Sequence, residues 1–323
     1  MLTITCIIPS TCSKKIIPSI KQCLRSLYVS NQGQFRLITV LITDRLESRA
    51  ILLKERLNDF FFVNTDLGFA ERINVGIEGS IEKYESDYYL ILNDDTWLDI
   101  NFFKETKRVI DKSQPDIIMP LVLDKFGKKI DSFGAEYFTS GYVKNIQNLD
   151  IKATVATAAC FLIKTKLLKK VKKKFGFYFN PLLYYYLEDT EFSIRARVLR
   201  GYFIRSKNLK VYHVGSLTTG THSEFVLYHT YRNMLWVILL TWPTNVIFKQ
   251  LIKILIVHVW LMYSTFKLKL FLLYPKMGYE TLILLKRILK YRTKTLVRYP
   301  PSFDFDSIFS KHFFRMRKQN IAI

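Results

Sequence analysis

Over its first hundred residues the chain alternates short β-rich runs with amphipathic stretches, and this alternation constrains the fold more than any other feature. Residues 3–8 read as a buried strand, and residues 16–28 carry apolar side chains at helical spacing. Residues 35–42 follow as strand, 49–57 as helix, 60–63 as strand and 70–79 as helix. A strand at 88–92 then runs into Asn93-Asp94-Asp95-Thr96. Strands separated by helices predict an α/β fold built on a mostly parallel, Rossmann-like sheet. Such sheets bind ligands at the carboxyl ends of their strands, which is where the acidic triplet falls.

Beyond residue 115 the pattern loosens. Residues 117–122 read as strand, 153–163 as a strand of small residues, 190–199 as helix, and 202–213 as a segment whose strand ends at His213. The segment 164–174 holds seven lysines, which suit either a solvated helix face or contact with anionic lipid. No internal repeat or low-complexity linker interrupts the chain. The Gly-, Ser- and Thr-rich stretch 215–224 marks the expected boundary between a catalytic sheet domain, 1–222, and a basic amphipathic helical region, 223–323.

The charge is unevenly placed. The whole chain carries a formal +22, and residues 223–323 hold 16 Lys+Arg against 4 Asp+Glu. A charge of this size calls for nucleic acid, anionic lipid or phosphorylated substrates as partners. The basic third is also very apolar around residues 234–274, whereas nucleic-acid faces interleave basic with polar residues. An anionic membrane surface is therefore the expected partner, and nucleic acid is not. Residues 247–263 are apolar enough to suggest a span, but Lys249, Lys253 and His258 interrupt them. An interfacial helix with snorkelling lysines is the preferred reading, with a spanning helix as the alternative. The N-terminus lacks a basic n-region and reads as a strand instead of a signal peptide. Cys6, Cys12, Cys23 and Cys160 form no Cys-x-x-Cys pair, which argues against a zinc or disulfide framework and for a reducing compartment. The expected location is peripheral, on the cytoplasmic face of the plasma (inner) membrane.

Three places carry chemistry. Asn93-Asp94-Asp95 stands at a strand end, where carboxylates can hold Mg²⁺ or Mn²⁺ and leave positions for diphosphate oxygens; adjacent acids also suit a turn that caps the next helix. Glu188-Asp189 follows the aromatic run Tyr184-Tyr185-Tyr186 and opens a helix. A carboxylate there could take a proton from an attacking hydroxyl, or could simply stabilise the helix N-terminus. His213, at a strand end, is either structural or a partner to carboxylates around Mn²⁺.

The order of the motifs is more telling than any one of them. Over most of residues 1–233 the chain resembles the family 2 glycosyltransferases, in particular their bacterial rhamnosyltransferase-like branch. The resemblance is carried by Cys6-Ile-Ile-Pro-Ser10, Cys23-Leu-Arg-Ser-Leu27, Asn64-Thr-Asp-Leu-Gly-Phe-Ala70 with Asn74-Val-Gly-Ile77, and Leu92-Asn-Asp-Asp-Thr96. It continues in Ala158-Ala-Cys-Phe-Leu-Ile163, Tyr185-Tyr-Leu-Glu-Asp-Thr-Glu-Phe192, Tyr212-His-Val-Gly-Ser216 and Tyr228-His-Thr-Tyr-Arg-Asn233.

The resemblance implies a GT-A fold, a Mn²⁺ or Mg²⁺ cofactor and inverting transfer of a sugar, rhamnose or a hexose, from a dTDP- or UDP-sugar donor. The implied acceptor is a lipid-linked or surface glycan in cell-envelope polysaccharide synthesis, with a protein or peptide acceptor as the alternative. A non-catalytic basic membrane-binding protein is the rival outside enzymes. By resemblance Asp95 is the principal metal ligand, with Asn93 and His213 completing the site and Asp94 touching the donor. Asp189 is the general base, with Glu188 beside it orienting the acceptor. Asp44, Pro9 and Ser10 line the nucleoside pocket, while Gly68, Phe69, Ala70 and Asn74 wall the nucleotide and sugar. Arg232 is tied to acceptor or product phosphate. Three departures stand out: Asp44-Arg-Leu-Glu-Ser48 lacks the family's loop glycine, Lys174-Phe-Gly-Phe177 replaces Gly-Gly-Phe, and Asn93 in place of Asp removes one charge from the metal site. They put donor-base preference and the acceptor entrance in doubt.

Overall fold

The computed structural model describes residues 1–45, 57–63, 65–215 and 223–311. Its first strand, β1 (Thr3–Pro9), is buried along its whole length. A run with apolar and β-branched residues at nearly every position suits a strand covered on both faces. Alternation then sorts its side chains: Ile7 enters one core, while Ile4, Cys6 and Ile8 enter the other. β4 (Tyr88–Leu92) divides in the same way, Tyr89 and Ile91 against Tyr88, Leu90 and Leu92. The period of two in the pleat thus builds two hydrophobic layers from one sheet.

α1 (Ile17–Asn31) follows β1, and β2 (Arg36–Thr43), β3 (Asp59–Phe62) and α2 (Phe69–Ile81) lead to β4. After it come β5 (Thr96–Leu98), α3 (Phe102–Ser113), β6 (Ile117–Asp124), β7 (Ile130–Ser132), and a hairpin of β8 (Ala135–Tyr137) and β9 (Val143–Asn145). β10 (Cys160–Lys164), α4 (Thr165–Phe175), α5 (Glu188–Val198) and β11 (Phe203–His213) complete the sheet region. The strand order is β3-β2-β1-β4-β10-β6-β11-β5, with β7 on β6. β10 runs antiparallel between β4 and β6, and β5 and β7 are also reversed. The other six strands share one direction, so the sheet is mostly parallel.

Four helices close the described chain: α6 (Glu224–Thr241), α7 (Thr244–Lys267), α8 (Leu273–Ile283) and α9 (Leu285–Leu296). α6 shares a core with the sheet region, where Trp236, Leu240 and Trp242 meet Tyr137, Leu182, Leu183 and Ile194. The Trp242 indole N–H donates to the Tyr137 hydroxyl at 2.7 Å.

The expected strands and helices of the first hundred residues fall within a few residues of the observed ones. The expected helix over 49–57 lies, but for its last residue, outside the described residues, as do Asn64 and Ser216. Two expectations need correction. The strand expected over 153–163 is confined to Cys160–Lys164, because the backbone N–H groups of Ala156 and Ala158 bond to Ser193 and Asp189 instead of a neighbouring strand. Residues 266–273 and 281–289 also read as separate apolar helices; instead α7 runs through to Lys267, a turn follows, α8 starts at Leu273, and the break before α9 falls at Leu284.

Candidate functional site

At the carboxyl ends of β1 and β4 opens a cleft of about 410 Å³. It brings together Pro9 ending β1 with Ser10 after it, Asn93, Asp94 and Asp95 after β4, Glu188 and Asp189 opening α5, and His213 ending β11. These residues come from four separate segments of the chain, and the sheet alone makes them neighbours.

The β4 end forms one pole. Asp95 is buried, and its Oδ1 lies 3.2 Å from Nε2 of His213. The other ring nitrogen, Nδ1, lies 2.9 Å from Oδ2 of Asp131 in β7. Burial alone would lower the imidazole pKa, but the hydrogen bonds to Asp131 and Asp95 outweigh it and hold the ring up at about 10. Asp94 is buried beside Asp95 and accepts the Ser10 hydroxyl at 2.5 Å. Burial pushes its carboxyl up to about 7. Oδ1 of Asn93 is buried without a hydrogen-bond partner, so one oxygen at this pole remains available for a ligand.

A divalent cation could use this donor set only by displacing the proton that His213 Nε2 shares with Asp95, since a protonated ring has no lone pair to give. Two cis ligands of an octahedral Mg²⁺- or Mn²⁺-like ion stand about 3 Å apart, close to the Asp95–His213 spacing. Among the described residues no group of three or more His, Cys, Asp or Glu converges into a closed cage. A cation held here would have to take further oxygens from water or from an anionic ligand. Asp131, at 2.9 Å from Nδ1, fixes the orientation of the His213 ring.

The start of α5 forms the second pole. Asp189 accepts backbone N–H groups from Ala158 at 2.7 Å and from Thr190 at 2.6 Å. These bonds lower its pKa but only in part offset burial, which raises it to about 6. Glu188 is buried with Oε2 unpartnered, and burial, reinforced by the Asp189 charge, pushes its carboxyl well above the usual range. Both carboxyls of this adjacent pair are thus held above the ordinary carboxylate range.

The loop leading into this pole is strained. Tyr184, Tyr186 and Leu187 all adopt positive φ, between 46° and 68°. Each costs roughly 1–2 kcal/mol for a residue with a side chain. The Asn233 side-chain amide of α6 holds the loop in place, its two N–H groups shared among the carbonyls of Leu183, Tyr185 and Tyr186, each 2.7 Å from Nδ2. Gly68 presses from the other side: a Cβ there would collide with the Tyr184 backbone and ring. Gly68 and Ala70 therefore act behind the cleft wall, which Phe69 alone of the three lines directly.

Several expected residues are placed differently. Asn74 does not line the cleft; its amide clips the Phe179 backbone, donating at 2.8 Å and accepting at 2.9 Å. Asp44 reaches the site through Arg72, with which it pairs at 3.2 Å. Arg72 also donates to the carbonyls of Ser10 and Leu67, both at 2.8 Å, and lines the cleft itself. Arg232 faces away from the cleft: it is buried, pairs with Glu280 at 2.9 Å and donates to Asn233 at 3.0 Å. Arg72, Asp131 and Asn233 carry roles the sequence reading did not assign. Arg72 had a usable signal, since it lies one turn from Gly76 and two from Ser80 on the buried stripe of α2. Asp131 had none, because its place depends on long-range strand pairing.

Solved structures place this architecture. The chain is similar to S. aureus TarS 1–349, with TM-score 0.51 and 17% identity over 74% of this chain and 66% of that one. It is also similar to GalNAc-T7 with UDP, GalNAc and Mn²⁺, with TM-score 0.57 and 15% identity over 76% and 49%. The fold is GT-A. The same TarS fragment in complex with UDP-GlcNAc gives TM-score 0.52 at 17% identity, over 74% and 67% of the two chains. This chain thus spans just under two thirds of TarS 1–349 and about half of GalNAc-T7. No protein-family model matches the sequence, and no curated protein does. The Asn93–Asp95 and Glu188–Asp189 groups line a single cleft, tied to the neighbouring residues Ala159 and Ala158 respectively.

Proposed function

We propose that this protein is an inverting, divalent-metal-dependent glycosyltransferase of the family 2, rhamnosyltransferase-like type. It would move rhamnose or a hexose from a dTDP- or UDP-sugar to a lipid-linked or surface glycan. The observation that carries this reading is one cleft lined by both the Asp95–His213 pair, which could serve a cation, and the Glu188–Asp189 pair, which could serve proton transfer. The solved relatives named with UDP, UDP-GlcNAc and Mn²⁺ support the donor and metal classes.

In this reading Asp95 and His213 hold Mn²⁺ or Mg²⁺, with Asn93 presenting its unpartnered oxygen beside them. When bound, the cation offsets the charge that grows on the departing diphosphate. Arg72, with Asp44 behind it, shapes the nucleoside side together with Pro9 and Ser10. Protonated Glu188 donates a hydrogen bond to the acceptor sugar. Asp189 takes the proton of the acceptor hydroxyl as its oxygen bonds to the anomeric carbon. The bond from that carbon to the diphosphate breaks on the opposite face, and the electron pair leaves with the diphosphate. One displacement therefore inverts the configuration.

Calorimetric titration with UDP, dTDP and GDP, with and without Mn²⁺, tests the reading in wild type and Asp95→Ala. The expected result is Mn²⁺-dependent binding of one nucleotide that the variant loses. Equal, metal-independent binding by both proteins would overturn it.

A further inference from the structure

The C-terminal helices leave an apolar face uncovered. α7 turns one stripe inward, Val246, Gln250, Ile254, Val257, Leu261 and Thr265, at spacings of three or four residues. Val257 and Leu261 pack with Met234, Tyr142 and Tyr274. The opposite stripe has the same helical spacing: Phe248, Ile252, Ile256, Val259, Tyr263 and Phe266, each 57–73% exposed. The ring of Phe266 meets that of Phe271 at 4.8 Å, and exposed Leu272 leads on to α8, which bares Tyr279, Leu282 and Ile283. An uncovered apolar tract of this length marks a docking surface.

Its charge selects the occupant. Residues 244–296 carry ten Lys or Arg and a single acid, Glu280. Glu280 is drawn inward by Arg232, so it offsets little at the surface. Two copies meeting through this face would oppose like charges, whereas anionic lipid both neutralises the cations and takes up the apolar side chains.

The same burial pattern sets the mode of contact. By length and mean hydropathy (1.7) α7 could cross a bilayer. Crossing would pull its inner stripe away from Met234, Tyr142 and Tyr274. We infer that α7 lies in the plane of a membrane and enters one leaflet with its outer stripe only. Lys253, Lys267 and Lys269 would reach anionic headgroups, and the cytoplasmic leaflet is the one rich in such lipid. This docking does not depend on the chemistry proposed for the cleft.

Flotation of the full-length protein with phosphatidylcholine vesicles, with and without phosphatidylglycerol, tests the inference. The protein should float with the mixed vesicles, lose binding as salt rises, and be stripped by alkaline carbonate. Ile252→Glu with Ile256→Glu, both at exposed positions, should cut partitioning at least roughly tenfold with an unchanged melting temperature and circular dichroism. Val29→Glu, at an exposed apolar position on α1, should leave partitioning unchanged. Failure to float, or equal flotation of the double variant, would overturn the docking face. Resistance to carbonate would overturn the in-plane mode. A dimer by light scattering that the double variant dissolves, without vesicle binding, would assign the face to a second copy.

Discussion

Asp189 has to be ionised to accept a proton, yet burial holds its carboxyl near 6. Below that pH the residue carries its own proton and cannot act as base; above it the base form is full. We therefore expect kcat/KM to rise between pH 5 and 7 with an apparent pKa near 6, a value that belongs to the Glu188–Asp189 pair. Asp189→Asn should lower turnover by roughly 10²–10⁴-fold and flatten the profile, with nucleotide affinity unchanged in calorimetry. Near-normal turnover in that variant would remove Asp189 from the role. The residue's type and place before a helix were readable in the sequence. Its Ala158 clasp was not, since it needs residues 31 positions apart to meet.

At the scale of elements, the start of α5 depends on α6. Three left-handed residues are held against their local preference by the single amide of Asn233. Asn233→Ala should cost about 1–3 kcal/mol in urea unfolding, because buried carbonyls lose their donor. It should also reduce turnover while leaving nucleotide affinity intact, since the Asn93–Asp95 pole is not touched. A loss of nucleotide affinity equal to the loss of turnover would show that the whole cleft collapsed. This dependence also explains what the sequence disclosed and what it withheld. Strong periodicity revealed β1, α1, β2, α2 and β4 within a few residues, because their burial patterns are local. Residues 156–159 misled for the opposite reason: small β-compatible residues there serve as cleft wall, with Ala156 and Ala158 bonded by backbone to α5. Asn233 stood in a recognisable motif, but only the folded chain shows which carbonyls it holds.

For the molecule as a whole, sheet and C-terminal helices share one core, so a chain cut at residue 222 would lose Trp236 and Trp242 from Tyr137, Leu182 and Ile194. Removing one buried Trp costs about 3–5 kcal/mol, against total stabilities of about 5–15 kcal/mol. We expect fragment 1–222 to lack a cooperative melting transition in calorimetry; a sharp transition would instead make the sheet an autonomous domain. The reversed strand β10 has a consequence in time. It pairs with β4 on one side and β6 on the other, yet it leaves the ribosome 68 residues after β4 ends. At about 5–20 residues per second, the nascent chain carries β4 as an open edge for roughly 3–14 seconds. An edge so apolar, on a half-built sheet, is what a neighbouring nascent chain would pair with. Slower synthesis lengthens that exposure, and a chaperone that covers the β4 edge shortens it.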